Sequence, residues 1–124
     1  MRCLLDTQVM LWWLLDDPRL GAESRQLLAT RTCLVSVPSI WEVAIRHRIG
    51  KLEVSPIVLR DQSIAAGADL LPVLDSYVIE TTQLPLLHQD PLDRLLIVQA
   101  REEGLMALSS DRQWWGYDVS LHRL

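Results

Sequence analysis

Cysteine is scarce in this chain of 124 residues, with only Cys3 and Cys33 present. Each lies in a short apolar run that reads as a buried strand, so both are expected to be packed thiols rather than a disulfide frame or a metal pair. No uninterrupted apolar run reaches the roughly 18 residues needed to cross a bilayer. The opening MRCLLDTQVMLWWLL carries one basic residue, is broken by Asp6 and offers no small-residue cleavage site, so it is not read as a signal peptide. These absences predict a cytoplasmic protein with no membrane partner. Internal repeats, low-complexity tracts and Gly/Ser linkers are also missing, and one domain over residues 1–124 is expected. The three histidines, His47, His88 and His122, have no metal-ligand spacing among them. There is a single lysine, Lys51, and the net charge is −4. That balance weighs against a protein that grips a phosphate backbone through basic side chains alone. It leaves room for acids gathered around a cation, which present positive charge to a ligand.

Hydrophobic residues make up 49% of the chain, enough for a sizeable core. Short apolar runs alternate with longer helical patterns. Strands are expected at 2–5, 32–37, 70–74, 105–109 and 118–121. The third is pushed to a sheet edge by Pro72. Helices are expected at 8–15, 22–30, 39–49, 56–66, 76–82 and 91–103, with a short helix or turn over 111–115. The 8–15 segment is apolar all round and should be buried. Gly50 and Gly104 are helix stop signals. Strands alternating with helices imply an α/β protein whose mainly parallel sheet is covered on both faces.

Acids fall at distinctive places on this map. Asp6 follows the first strand directly, and Asp111 follows the strand at 105–109 after one serine. Glu42 and Asp93 each fall in the first turn of a helix. In open α/β sheets, ligands collect outside the carboxyl ends of the strands. Every one of these acids has a structural alternative. Asp6 and Asp111 suit turns or helix caps, and Ser39-Ile40-Trp41-Glu42 matches a capping box. Arg46, one turn beyond Glu42, is placed to pair with it. Asp90 reads as the cap of the helix that begins at Pro91. Asp93 is harder to assign to a cap, because Leu96, Ile97 and Ala100 share its helix face and should point inward. Glu42 shares its face with Ile45 and Ile49 in the same way. Four carboxylates converging on one edge would repel, and each would raise the others' pKa. A divalent cation removes that conflict. Hard oxygen ligands without a His or Cys cluster point to Mg2+, with Mn2+ able to substitute.

The stretches LLDTQVMLWWL, VSVPSIWEVAIRHRIGKLEV, DPLDRLLIVQAREEGLMALSSD and DRQWWGYDV, in this order and at ordinary spacing, resemble PIN-domain ribonucleases of the VapC toxin type. The resemblance covers nearly the whole chain. It implies a three-layer sandwich with a central, mainly parallel sheet. It implies a metal-dependent endoribonuclease cutting structured RNA such as tRNA or ribosomal RNA. It also implies a homodimer and a cognate antitoxin. Carried over by position, the family's acidic quartet falls on Asp6, Glu42, Asp93 and Asp111, and the hydroxyl near the last acid falls on Ser109. Gln8 stands where many members have Asn, which moves the amide by one methylene. Leu92 stands where many have Phe.

Around these acids, Arg112 is the leading candidate for a phosphate contact. Arg46, His47, Arg48, Lys51 and Arg94 read mainly as a solvated basic face. Trp12, Trp13 and Trp41 suit a core or a dimer interface, while Trp114 and Trp115 follow Asp111 closely enough for one to approach substrate. The segment 55–66 is apolar enough to receive an antitoxin helix. Two other readings compete. A receiver-type phospho-acceptor would need an adjacent acidic pair after the first strand and a lysine after the last strands, and neither is present. A catalytically silent PIN-like binding module would be suggested by loss of an acid, and all four are here.

Overall fold

The central strands are apolar on successive residues because both faces of the sheet are covered, as parallel sheets require. The computed structural model describes residues 2–124, and in it five parallel strands form one sheet. They are β1 (Cys3–Leu5), β2 (Cys33–Ser36), β3 (Asp69–Leu71), β4 (Met106–Ser109) and β5 (Leu121–Arg123). The order across the sheet is β3-β2-β1-β4-β5. Residues alternate between faces along each strand. Cys3, Leu5, Cys33, Val35 and Leu108 pack into one apolar cluster. Leu4, Leu34 and Ala107 pack into the other. Cys3 and Cys33 are register partners on β1 and β2, both buried, with no disulfide between them.

Among the described residues six α-helices cover the two faces: α1 (Thr7–Leu14), α2 (Ala22–Thr30), α3 (Val37–Arg48), α4 (Pro56–Ala65), α5 (Asp75–Glu80) and α6 (Pro91–Glu102). Val9, Met10, Leu28, Val43 and Leu59 carry α1 to α4 onto the first cluster. Tyr77 of α5 and Leu96, Ile97 and Ala100 of α6 build the second, together with Trp114. Short 3-10 turns occupy Thr81–Gln83 and Arg112–Gly116. The result is the expected three-layer α/β sandwich. Gly50 and Gly104 take the left-handed conformation, φ +77° and +64°, that stops α3 and α6.

Several sequence expectations shift. α3 starts at Val37 with Ser36 at its N-cap, because Pro38 is accepted in the first turn. Ser39 is therefore inside the helix and no capping box forms. Its hydroxyl accepts instead from Thr7 at 3.1 Å, and Glu42 lies beyond the first turn. Ile45 and Ile49 are 44% and 60% exposed, so the face they define points outward. Burial of α1 ends at Leu11, since Trp12 and Trp13 are half-buried and Leu15, at the helix end, is exposed. Trp41 is exposed, and Trp114 is in the core. The last strand begins at Leu121, later than 118–121 predicts, because the 3-10 turn after β4 consumes Arg112–Gly116. Pro72 does follow an edge strand, β3.

Candidate active site

The strand order reverses direction at β1, between β2 and β4, and a doubly wound sheet opens a crevice at such a point. Asp6 leaves the carboxyl end of β1 and Asp111 follows β4, its neighbour. The N-termini of α1 and α6 face the same crevice, which brings in Gln8 and Asp93. α3 contributes Glu42 and Arg46. Together with Asp90, these side chains line a cleft of about 250 Å³. Four widely separated segments thus deliver five carboxylates to one place.

Asp6 is fixed from several directions. Its Oδ1 accepts the backbone N–H of Val9 at 2.7 Å, so it is the cap of α1. Its Oδ2 accepts the Ser109 hydroxyl at 2.5 Å, and Ser109 Oγ in turn accepts the N–H of Asp111 at 3.0 Å. Burial pushes the Asp6 carboxyl up to about 6, with the Asp111 charge adding to it, against the pull of these hydrogen bonds. Ser109 is fully buried and acts from beneath the cleft rather than lining it.

Glu42 forms the expected ion pair with Arg46, 2.7 Å long, and its side chain is 14% exposed. Burial raises its pKa while Arg46 lowers it and Asp90 raises it. Asp90 caps α6 by accepting from Leu92 N–H at 2.9 Å. It also faces the cleft, a second role that its reading as a cap did not include. Asp93 sits over the buried Leu96, Ile97 and Ala100, as its helix face predicts. Desolvation, then the charges of Asp90, Glu42 and Asp6, raise its carboxyl to about 7, with His88 pulling the other way.

His88 is the residue that sequence reasoning missed. It is 6% exposed, and its Nε2 lies 2.8 Å from Asp93 Oδ2 and 2.9 Å from Asp111 Oδ2. The ligand atoms of these three residues lie within 4.8 Å of one another. His88 stands behind the two acids and does not line the cleft. No periodic signal marks it, because it lies in an irregular segment held by the Arg94 guanidinium and the Tyr117 hydroxyl rather than by a repeating backbone ladder.

The other candidates divide. Gln8 lines the cleft. Arg112 does not; it is exposed, and its guanidinium lies 5.7 Å from the centre of the Trp115 ring. Arg123 is closer to that ring, at 4.3 Å. Arg123 is the register partner of Ser109 on β5, so it lies at the same end of the sheet as that residue. Arg94 is not a solvated cation, since it donates to four backbone carbonyls. His47 and His122 bond elsewhere, to Leu52 O and Ser24 Oγ.

The donor set suits a hard divalent cation. Crowded carboxylates that raise one another's pKa are relieved by positive charge, and carboxylate oxygen is the ligand such ions take. Asp6, Asp93, Asp111 and Glu42 are the residues that could hold it. A histidine, His88, does stand among them, contrary to the sequence expectation, but its Nδ1 accepts from Asp90 N–H, so its Nε2 carries the ring proton and faces Asp93 and Asp111 as a donor.

The family model of the PIN domain matches residues 3–118. No curated protein matches the sequence significantly. Among solved structures, VapBC2 from Rickettsia felis, bound to a promoter DNA fragment, is similar with a TM-score of 0.72 and 12% identity, covering 99% of this chain and 98% of its own. VapC20 from Mycobacterium tuberculosis, a toxin that cleaves the sarcin–ricin loop, gives a TM-score of 0.65 at 13% identity, covering 98% of this chain and 99% of its own. A toxin–antitoxin complex from Klebsiella pneumoniae gives 0.65 at 14% identity, with the same coverage. At these identities the likeness is one of fold.

Proposed function

The chain belongs to the PIN domain family, and from that premise we propose that it is a metal-dependent endoribonuclease, the toxin of a toxin–antitoxin pair. The observation that carries this reading is the convergence of Asp6, Glu42, Asp93 and Asp111 on one cleft at the carboxyl edge of the sheet. A bound Mg2+ or Mn2+ supplies Lewis-acid stabilisation of charge on a scissile phosphate and lowers the pKa of a water nucleophile. The chain's own residues do the rest. Asp6, Asp93 and Asp111 would hold the cation, with Ser109 orienting Asp6 through its hydroxyl. Glu42, kept in place by Arg46, orients the attacking water. Gln8, at the cleft wall, takes a polar contact with the sugar–phosphate chain. Arg112 and Trp115 lie outside the cleft and contact flanking nucleotides by charge and stacking.

Structured RNA is the proposed substrate class. It is supported by the acidic cleft and by the fold shared with a toxin that cleaves the sarcin–ricin loop. A cognate antitoxin is supported by the fold shared with toxin–antitoxin complexes. It is supported also by the exposed apolar residues Trp41, Ile45 and Ile49 of α3 and Ile57 and Val58 of α4, two helices that pack together. An amphipathic helix would cover such a surface. We place the whole activity in one domain, active as a homodimer in the cytoplasm. Among the described residues no helix is long and apolar enough to cross a membrane.

The test is a cleavage assay on total tRNA and ribosomal RNA with antitoxin-free protein, in Mg2+, in Mn2+ and in EDTA, beside Asp93→Asn. Discrete cuts that need the metal and vanish in the variant are expected. A folded wild type that cuts nothing and shows no thermal shift with either ion refutes the nuclease and leaves a silent binding module.

A further inference from the structure

We propose that His88 is a positioning residue for the cation site at Asp93 and Asp111, and that Arg94 and Tyr117 act on that site through it. The proposal rests on the reading of the acidic cleft as a cation site. It assigns to that site residues that do not touch a cation.

His88 lies between the 3-10 turn at Thr81–Gln83 and α6, where no regular backbone ladder fixes the chain. Side chains fix it instead. The Arg94 guanidinium spans the segment, Nη1 donating to Pro85 O at 2.9 Å and His88 O at 3.2 Å. Its Nη2 donates to Thr81 O at 2.6 Å and Leu84 O at 3.3 Å. The Tyr117 hydroxyl accepts from His88 N–H at 2.7 Å and donates to Pro85 O at 2.9 Å. Asp90 N–H donates to His88 Nδ1 at 3.1 Å. That bond requires a lone pair on Nδ1 and so assigns the ring proton to Nε2.

Every polar atom of His88 is therefore engaged. The backbone N–H and C=O meet Tyr117 and Arg94, Nδ1 meets the Asp90 backbone, and Nε2 faces Asp93 and Asp111. A histidine that merely filled the core would not need its ring set between two cleft-lining carboxylates from different elements. The buried imidazole hydrogen-bonds Asp111 Oδ2 through Nε2 and holds the same atom 2.8 Å from Asp93 Oδ2, so one ring nitrogen sits against both acids. Carboxylates that bind metals are commonly held by such partners, and losing one costs about 10- to 100-fold in metal affinity.

The test is Mn2+ binding to RNA-free protein by titration calorimetry, with folding checked by thermal melting in EDTA. His88→Ala should weaken Mn2+ binding about tenfold or more. His88→Gln, whose amide nitrogen reaches near the place of Nε2, should recover part of that loss. Tyr117→Phe removes a hydroxyl that touches neither acid, and it should weaken binding in the same direction while the protein stays folded. Arg94→Lys should do likewise, because an ammonium cannot bridge four carbonyls. Folded His88→Ala and Tyr117→Phe proteins that bind Mn2+ as tightly as wild type, or more tightly, overturn the proposal even if wild type cuts RNA. A wild type that binds no Mn2+ overturns both this proposal and the reading of the cleft on which it stands.

Discussion

Replacing Asp93 by Asn should make the metal-free protein more stable at pH 8 and leave it nearly unchanged at pH 4. The reason is the charge crowding around that carboxyl. Its pKa is raised from 3.8 to about 7, first by desolvation and then by Asp90, Glu42 and Asp6. A raised carboxyl pKa means that the folded state favours the protonated form. Its contribution to stability is complete below about 4 and is lost as the pH climbs through about 7. At ~1.4 kcal/mol per pH unit, the ionised form is disfavoured in the fold by roughly 4 kcal/mol. Part of that is recovered when the neighbours readjust, because Asp6 and Glu42 share the same repulsion. A gain of about 2 kcal/mol for the variant at pH 8 is expected, or roughly 8 °C in melting temperature for a domain of this size. Melting curves of both proteins in EDTA across pH 4 to 8 give the measurement. Wild type should regain stability at pH 8 on adding Mn2+, and the variant should respond far less. A gap between the two proteins that is the same at pH 4 and pH 8, or a variant less stable at pH 8, refutes the charge-crowding argument.

Ser109→Ala removes the donor to Asp6 Oδ2 and the acceptor of Asp111 N–H from a fully buried position. It should cost about 1–3 kcal/mol in chemical denaturation and lower RNA cleavage, because Asp6 loses its orienting bond. Unchanged stability with unchanged cleavage would contradict the role given to that hydroxyl. Leu96→Ala, at a residue with 0% exposure beneath Asp93, should cost about 2–5 kcal/mol in urea denaturation. A loss well under 1 kcal/mol would mean that α6 is not held by this packing.

The acids at the carboxyl ends of β1 and β4 were legible in the sequence. Asp6 and Asp111 each follow an apolar run, and a parallel sheet puts such positions on one edge. Asp93 was legible through its helix period, with Leu96, Ile97 and Ala100 buried on its face as expected. Glu42 reaches the cleft from a local structure other than the capping box its sequence suggests. Moving the start of α3 back to Val37 took away the capping box, and the supposed inward face with Ile45 and Ile49 proved to be exposed. Glu42 still reaches the cleft, because α3 packs beside α1 and α6 at that edge.

The sequence by itself determined which segments become strands and helices, since periods of 2 and 3.6 and the punctuation by Pro and Gly are local properties of the chain. It also determined that acids cluster at one edge of the sheet. Only the tertiary structure decided what stands behind those acids. His88 is placed by Arg94, by Tyr117 and by the backbone of Asp90, and Arg112 is drawn out of the cleft towards Trp115. Such positions depend on side-chain contacts formed where no regular element repeats; the Tyr117 contact joins residues 29 apart, and those of Arg94, Asp90 and Trp115, though near in sequence, follow no period. A local sequence pattern carries no trace of them.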